Sequence, residues 1–245
     1  PQPWATPDDG SRVQVALRFR IRSEAALSGL GLAVEDPADW DLRLDGRMLS
    51  AAGTTPWVDE DIRVLPVGDL AAGDHVLEAR RAVGRRDTLE WFHLLGDFGV
   101  RLAGAHASLI PAPRELAWGD WCHQGLPFYA GNVTYHARVD HGGGRLILAI
   151  PQRSGALVRV RVDGQDRDPV LLPPWQVDCG DLPAGTHRLD LTLVGHRGNA
   201  FGALHNCDKN WHWWGPPAWF TSGAQRSDNY RLFELGITGA PMILQ

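Results

Sequence analysis

One pattern occurs twice in this chain, and it limits the fold more than any other feature. The first copy runs from Asp41 to Gly84 and the second from Arg159 to Gly195. Each opens on an alternating apolar stretch that ends in Asp-Gly: Leu42, Leu44 and Asp45-Gly46, then Val160, Val162 and Asp163-Gly164. Alternation of period two marks a half-buried strand. Asp-Gly marks a tight turn, because glycine takes positive φ without steric cost. A Pro-Trp pair follows at the same offset, Pro56-Trp57 and Pro174-Trp175. Both copies then carry Leu-x-Ala-Gly-x-His-x-Leu, at Leu70 to Leu77 and Leu182 to Leu189, followed by another alternating stretch. The first copy alone holds an insertion, "EDIRVLP", between its Trp and that turn.

Three landmarks in one order, with a period of about 118 residues, are too far apart for a solenoid and point to two homologous domains in tandem. Alternation elsewhere, in "RVQVALRFRI", "RLILAI", "HRLDLTLV" and "YRLFELGI", adds further strands. Helical patterning is nearly absent; Ser23 to Leu27 amounts to one turn at most. The expected fold is all-β: two tandem β-sandwich, jelly-roll domains, residues 1–112 and 113–245. The boundary is expected in Gly104 to Glu115, where the pattern lapses and two prolines occur.

The net charge of −5 comes without any Lys/Arg-rich run, which argues against nucleic acid or an anionic membrane as partner. No apolar stretch approaches the ~18 residues of a membrane span. The opening "PQPWATPDDG" has no initiator Met and reads as a linker, so a fragment of a longer chain is expected. Cys122, Cys179 and Cys207 form no CxxC pair and no zinc spacing. They fit either one disulfide plus a free thiol or three free thiols.

Tryptophan is over-represented, at 11 residues against 3 tyrosines and 7 phenylalanines. Four of the tryptophans, Trp211, Trp213, Trp214 and Trp219, lie in "NWHWWGPPAWF", Asn210 to Phe220. Its prolines rule out a regular helix, and it does not alternate like a strand. The segment belongs to an aromatic loop, residues 206–220, with no counterpart in the first copy. Around it stand Asn206, Asp208, Lys209 and His212. Flat indoles beside hydrogen-bonding groups suit a sugar, whose rings present apolar C–H faces and peripheral hydroxyls. The same aromatics could instead pack internally or dock on another domain. Trp57 and Trp175, being repeated, are expected to be architectural.

Catalytic candidates are weaker. Glu90 and Asp97, in "LEWFHLLGDFGV", are two carboxyls with apolar neighbours, as a glycosidase pair would need; satisfied turn residues are the alternative. There is no GxSxG. His123, His205 and His212 lie near Cys122, Cys207 and Asp208 in sequence but fit no zinc pattern. No cofactor is expected, apart from a structural Ca²⁺ that "VDEDIRV" or "DGQDRD" could hold.

"GLPFYAGNVTYHARVD", "LILAIP", "VRVDG" and "LPAGTHRLDLTLVG" resemble the sugar-binding, galactose-binding-like jelly-roll domains of large bacterial glycoside hydrolases. The matching positions are Tyr129, Gly131 and Tyr135, then Val158 to Gly164, then Leu182 to Leu189. "LEWFHLLGDFGV" and "FGALHN" are similar to the C-terminal region of family 106 α-L-rhamnosidase-like enzymes. The resemblance implies a non-catalytic module, with a separate catalytic domain, in a secreted, periplasmic or cell-surface bacterial protein. It also implies a polysaccharide or oligosaccharide ligand and contacts with other domains of the parent chain. The binding residues expected are Trp211, Trp213, Trp214 and Trp219, oriented by Asn206, Asp208, Lys209 and His212. Two alternatives stand beside it: a hydrolase or lyase with a carboxylate site at the domain interface, and a structural spacer docking on a catalytic domain.

Overall fold

The computed structural model describes residues 7–208, 210 and 218–244. Contacts divide the chain into two compact units, residues 1–101 with 107–112, and residues 102–106 with 113–245. Both are built from β-strands, and the fold is an all-β sandwich.

In the first unit the strands are β1 (Val13–Ser23), β2 (Leu27–Glu35), β3 (Asp41–Leu44), β4 (Arg47–Met48), β5 (Thr55–Trp57), β6 (Asp59–Leu70), β7 (Gly73–Val83), β8 (His93–Leu95), β9 (Phe98–Ala103) and β10 (His106–Pro111). One sheet has the order β4-β3-β7-β1-β10-β9 and the other β5-β6-β2-β8. Alternating residues meet in the core: Leu30, Leu32 and Val34 of β2, Leu65 and Val67 of β6, Leu42 and Leu44 of β3, and Leu77 and Ala79 of β7. The segment read as a lapse at the boundary is in fact strand β10, which pairs parallel to β1 through Arg22 and Ser23. Parallel partners need not be neighbours in sequence, so local alternation gave no sign of it.

The second unit holds β11 (Asn132–Ala149), β12 (Leu157–Val162), β13 (Gln165–Val170), β14 (Gln176–Val194) and β15 (Met242–Leu244), in the order β13-β12-β14-β11-β15. The register of the repeat is the same in both units. Leu44 faces Leu77 as Val162 faces Leu189, and Ile21 faces His75 as Val139 faces His187. What differs is continuity. β1 and β2 are separate strands, and so are β6 and β7, whereas β11 and β14 each run unbroken through the equivalent stretch. Gly143 and Gly144, at φ 96° and 94°, absorb the bend in β11. In the first unit that place is taken by Glu24-Ala25-Ala26, which interrupts the strand.

The Asp-Gly turns close two-residue hairpins between β3 and β4 and between β12 and β13. Both residues of each turn have positive φ: 50° and 80° for Asp45-Gly46, 50° and 82° for Asp163-Gly164. That is the hairpin geometry whose twist matches the strands. The aspartate does a second job. One oxygen of Asp45 accepts from the Val76 N–H at 2.8 Å and the other meets His75 Nδ1 at 2.6 Å. Asp163 repeats this with the Arg188 N–H at 2.8 Å and His187 Nδ1 at 2.6 Å. The far ring nitrogens reach the carbonyls of Ala71 and Pro183, each at 2.9 Å. With an acceptor at each nitrogen, both must donate, so the imidazolium is the form this clip favours. The bond to aspartate accordingly raises the pKa of both histidines. The bond from His187 lowers Asp163, and Asp45 is held low against its own desolvation by the bonds from His75 and Val76.

Candidate functional site

The two copies diverge after the repeat. β7 leads through a loop to β8, whereas β14 leads into residues 196–241, whose described residues include a short helix, α1 (Gly198–Phe201), and much irregular chain. Part of this, Tyr230 to Ile237, reads as a strand in the sequence. It forms a single bridge, between Gly236 and Ser154, and its other partners are side chains and neighbouring loops. Asn199, 1% exposed, receives the Phe233 N–H at 2.8 Å on Oδ1 and donates from Nδ2 to the Phe233 carbonyl at 2.8 Å. Asp120 Oδ1 accepts from the Leu235 N–H at 3.1 Å and the Cys122 N–H at 2.9 Å. The Gly119 and Trp121 N–H groups donate to the carbonyls of Ile237 and Leu235. Phe233 and Glu234 are exposed while Leu235, Gly236 and Ile237 are all buried, so burial here does not alternate as it would along a half-buried strand. A buried amide that satisfies both groups of one residue stabilises such a segment; unmet, those groups would cost more than the bonds contribute.

The aromatic loop is closed at its base by polar side chains. Asn206 is buried; its Nδ2 donates to the Ala218 carbonyl at 3.1 Å and its Oδ1 accepts from the Asp208 N–H at 2.8 Å. Asp208 accepts from the Asn210 N–H at 2.9 Å and from Gln225 Nε2 at 3.1 Å. An antiparallel bridge joins Asn206 to Arg226, and the Cys207 N–H donates to the Gln225 carbonyl at 2.7 Å. Asn206 and Asp208, expected to orient a ligand, use these atoms to shape the loop. Trp219 is half-buried beside the buried Ala218. Trp211, Trp213, Trp214, Lys209 and His212 lie outside the described residues.

The repeated Pro-Trp corners also differ. The Trp57 ring lies 5.1 Å from the His93 ring, centroid to centroid. The Trp175 ring packs on the core and is covered from outside by Arg153, whose guanidinium carbon stands 3.4 Å from the ring centroid.

All three cysteines are free thiols; Cys122 and Cys179 are buried and Cys207 is half-exposed. Burial pushes the Cys122 thiol up to about 12, which leaves it without thiolate at neutral pH. Glu90 and Asp97, placed by sequence among apolar neighbours, are exposed. The carboxyl that burial does raise in this region is Glu35 at the end of β2, with Glu90, Asp36, Asp61 and Asp59 adding repulsion. Sequence reasoning missed it, because its environment comes from strand neighbours distant in the chain. In "DGQDRD", Asp163 belongs to the histidine clip and Asp166 pairs with Arg161 at 2.8 Å. Among the described residues no three His, Cys, Asp or Glu side chains converge as metal ligands. No described helix is long and apolar enough to cross a membrane.

No protein-family profile matches the chain, and no curated protein matches it. Among solved structures, it is similar to a rhamnosidase from Novosphingobium sp. PP1Y, with a TM-score of 0.34 and 18% identity over 93% of this chain and 22% of that one. It is also similar to the Streptomyces avermitilis α-L-rhamnosidase complexed with L-rhamnose, with a TM-score of 0.29 and 13% identity over 77% of this chain and 23% of that one. The chain therefore spans less than a quarter of either protein's length, and at these scores neither likeness bears on its activity.

Proposed function

We propose that this chain is a non-catalytic, carbohydrate-binding accessory region of a glycoside hydrolase, and that the second unit carries the contact. The observation that supports this reading most is the asymmetry of the copies. A shared scaffold with one register acquires, in the second copy alone, a loop rich in tryptophan whose base is fixed by Asn206 and Asp208. Function more often resides on such additions than on the repeated frame. In this reading Trp219, with Trp211, Trp213 and Trp214, stacks on sugar faces, while Lys209 and His212 meet hydroxyls. Asn206 and Asp208 hold the loop in shape, which reduces the ordering cost of binding. The motif resemblance to sugar-binding jelly-roll domains favours the same reading.

The test is affinity electrophoresis of the chain through gels containing a panel of plant and microbial polysaccharides. Retardation that Trp213→Ala or Trp219→Ala abolishes, and that folded Trp57→Ala keeps, is the expected result. Absence of retardation on every polymer would leave the spacer reading in its place. Turnover of chromogenic glycosides, lost in Glu90→Gln or Asp97→Asn, would instead establish the hydrolase.

A further inference from the structure

Arg153 is an unusual arginine. Its guanidinium lies against the Trp175 ring, with the central carbon 3.4 Å from the ring centroid. Nε is buried and has no hydrogen-bond partner. Among the described residues no carboxylate, carbonyl or hydroxyl accepts from the guanidinium, in a chain whose net charge is −5. Burial depresses its pKa with no neighbouring charge in opposition. A partly desolvated cation without a counter-ion is costly, and is more readily understood as half of a pair.

The position is rigid. On one side of Arg153 the Gln152 carbonyl accepts the Thr238 N–H at 2.9 Å; on the other, Ser154 and Gly236 exchange backbone bonds of 2.8 and 3.0 Å. Ser154 Oγ donates to the Glu234 carbonyl at 2.7 Å. Beneath, Trp175 is fixed through its N–H to the Leu172 carbonyl at 3.0 Å and its carbonyl to the Ile150 N–H at 2.9 Å. With Nε enclosed, the edge left for a ligand is the fork of the two Nη groups, the geometry that receives a carboxylate through two parallel bonds. Leu171 and Leu172, 49% and 69% exposed, stand in the turn that leads to Trp175.

We propose that Arg153, seated on Trp175, binds a carboxylate, and that its ligand is the uronate group of an acidic polysaccharide; the second step rests on the carbohydrate-binding reading above. In the first unit Trp57 lies against His93, and Glu35, at the end of β2, stands within an acidic group that would repel a uronate.

The experiment is affinity electrophoresis of the full chain in polygalacturonate, in its fully methyl-esterified form and in a neutral galactan, followed by titration with trigalacturonate read by tryptophan fluorescence. The expected result is retardation by polygalacturonate that esterification abolishes. Arg153→Gln should weaken trigalacturonate binding at least about tenfold, and Arg153→Lys should also weaken it, since lysine keeps the charge but not the fork. Arg153→Lys carries the test if Arg153→Gln fails to fold. Retardation by neutral polymers alone overturns the uronate site and leaves the carbohydrate reading standing. Retardation by polygalacturonate that both variants keep in full also overturns it, because the acid is then held elsewhere. Retardation by nothing overturns both.

Discussion

The two units share one plan and differ in what is added to it. They share the hairpin at Asp-Gly, the aspartate–histidine clip, the strand register and the Pro-Trp corner. They differ where the chain leaves the plan. The first unit follows β7 with a loop and three further strands, β8, β9 and β10. The second follows β14 with a long segment held down by Asn199, Asp120 and Asn206. At the corner, the first places acidic residues near Trp57 and the second lays an arginine on Trp175. The comparison separates what the fold requires, which occurs twice, from what it merely carries, which occurs once.

The largest effects should fall on the shared frame and should be alike in the two copies. Leu30 on β2 and Leu148 on β11 are both core leucines, 2% and 1% exposed, in their units. Truncation to alanine removes buried methyl groups and leaves a cavity, so each of Leu30→Ala and Leu148→Ala should cost about 2–5 kcal/mol in urea unfolding. If one were nearly silent while the other was severe, the structural equivalence of the copies would not hold.

A smaller effect should be confined to the second unit. Asn199→Ala leaves the Phe233 N–H without its partner and its carbonyl with only the weak Cys122 thiol donor at 3.4 Å, at a cost of about 1–3 kcal/mol. Exchange of the Phe233 amide should accelerate, while amides of the first unit, such as that of Leu77, should keep their protection. Uniform protection in the variant would show that the segment has other supports and that Asn199 is not its strut.

Those two predictions also mark how much could be read in the sequence. The strands, the hairpins and the repeat were legible because each rests on neighbours: period-two alternation, a glycine free to take positive φ, and a proline beside a tryptophan. The clip was not, although both of its residues stand in the repeated motif. Asp45 and His75 are thirty positions apart, and only the register of β3 on β7 brings them together. The same limit hid β10, a parallel partner to β1, and left Tyr230 to Ile237, an expected strand, as chain bonded to side chains and loops. In the candidate site, the sequence shows Asn206 and Asp208 as polar residues beside tryptophans, but not as the base of the loop. Arg153 gave no signal at all, since nothing in "IPQRSG" shows that a tryptophan more than twenty residues later lies beneath it.

The smallest expected effect tests whether the clip is the same device in both copies. Each histidine has its pKa raised by its aspartate, so its contribution is complete below the ordinary value of 6.5 and is lost as pH rises through the raised value. Each aspartate is lowered, so its contribution is complete above 3.8 and is lost as pH falls through the lowered value. The clips should therefore stabilise most between those two pH values and weaken toward alkaline pH as the imidazolium deprotonates. His75→Gln and His187→Gln should each flatten the alkaline side of the thermal-midpoint profile, and the double variant should flatten it further, since the sites share no partner. A wild-type midpoint that stays level from pH 6 to pH 9 would mean that the neutral ring satisfies the site as well as the cation. The paired acceptors at each ring argue against that: a neutral imidazole has one N–H to offer and must leave either the carboxylate or the carbonyl unmet.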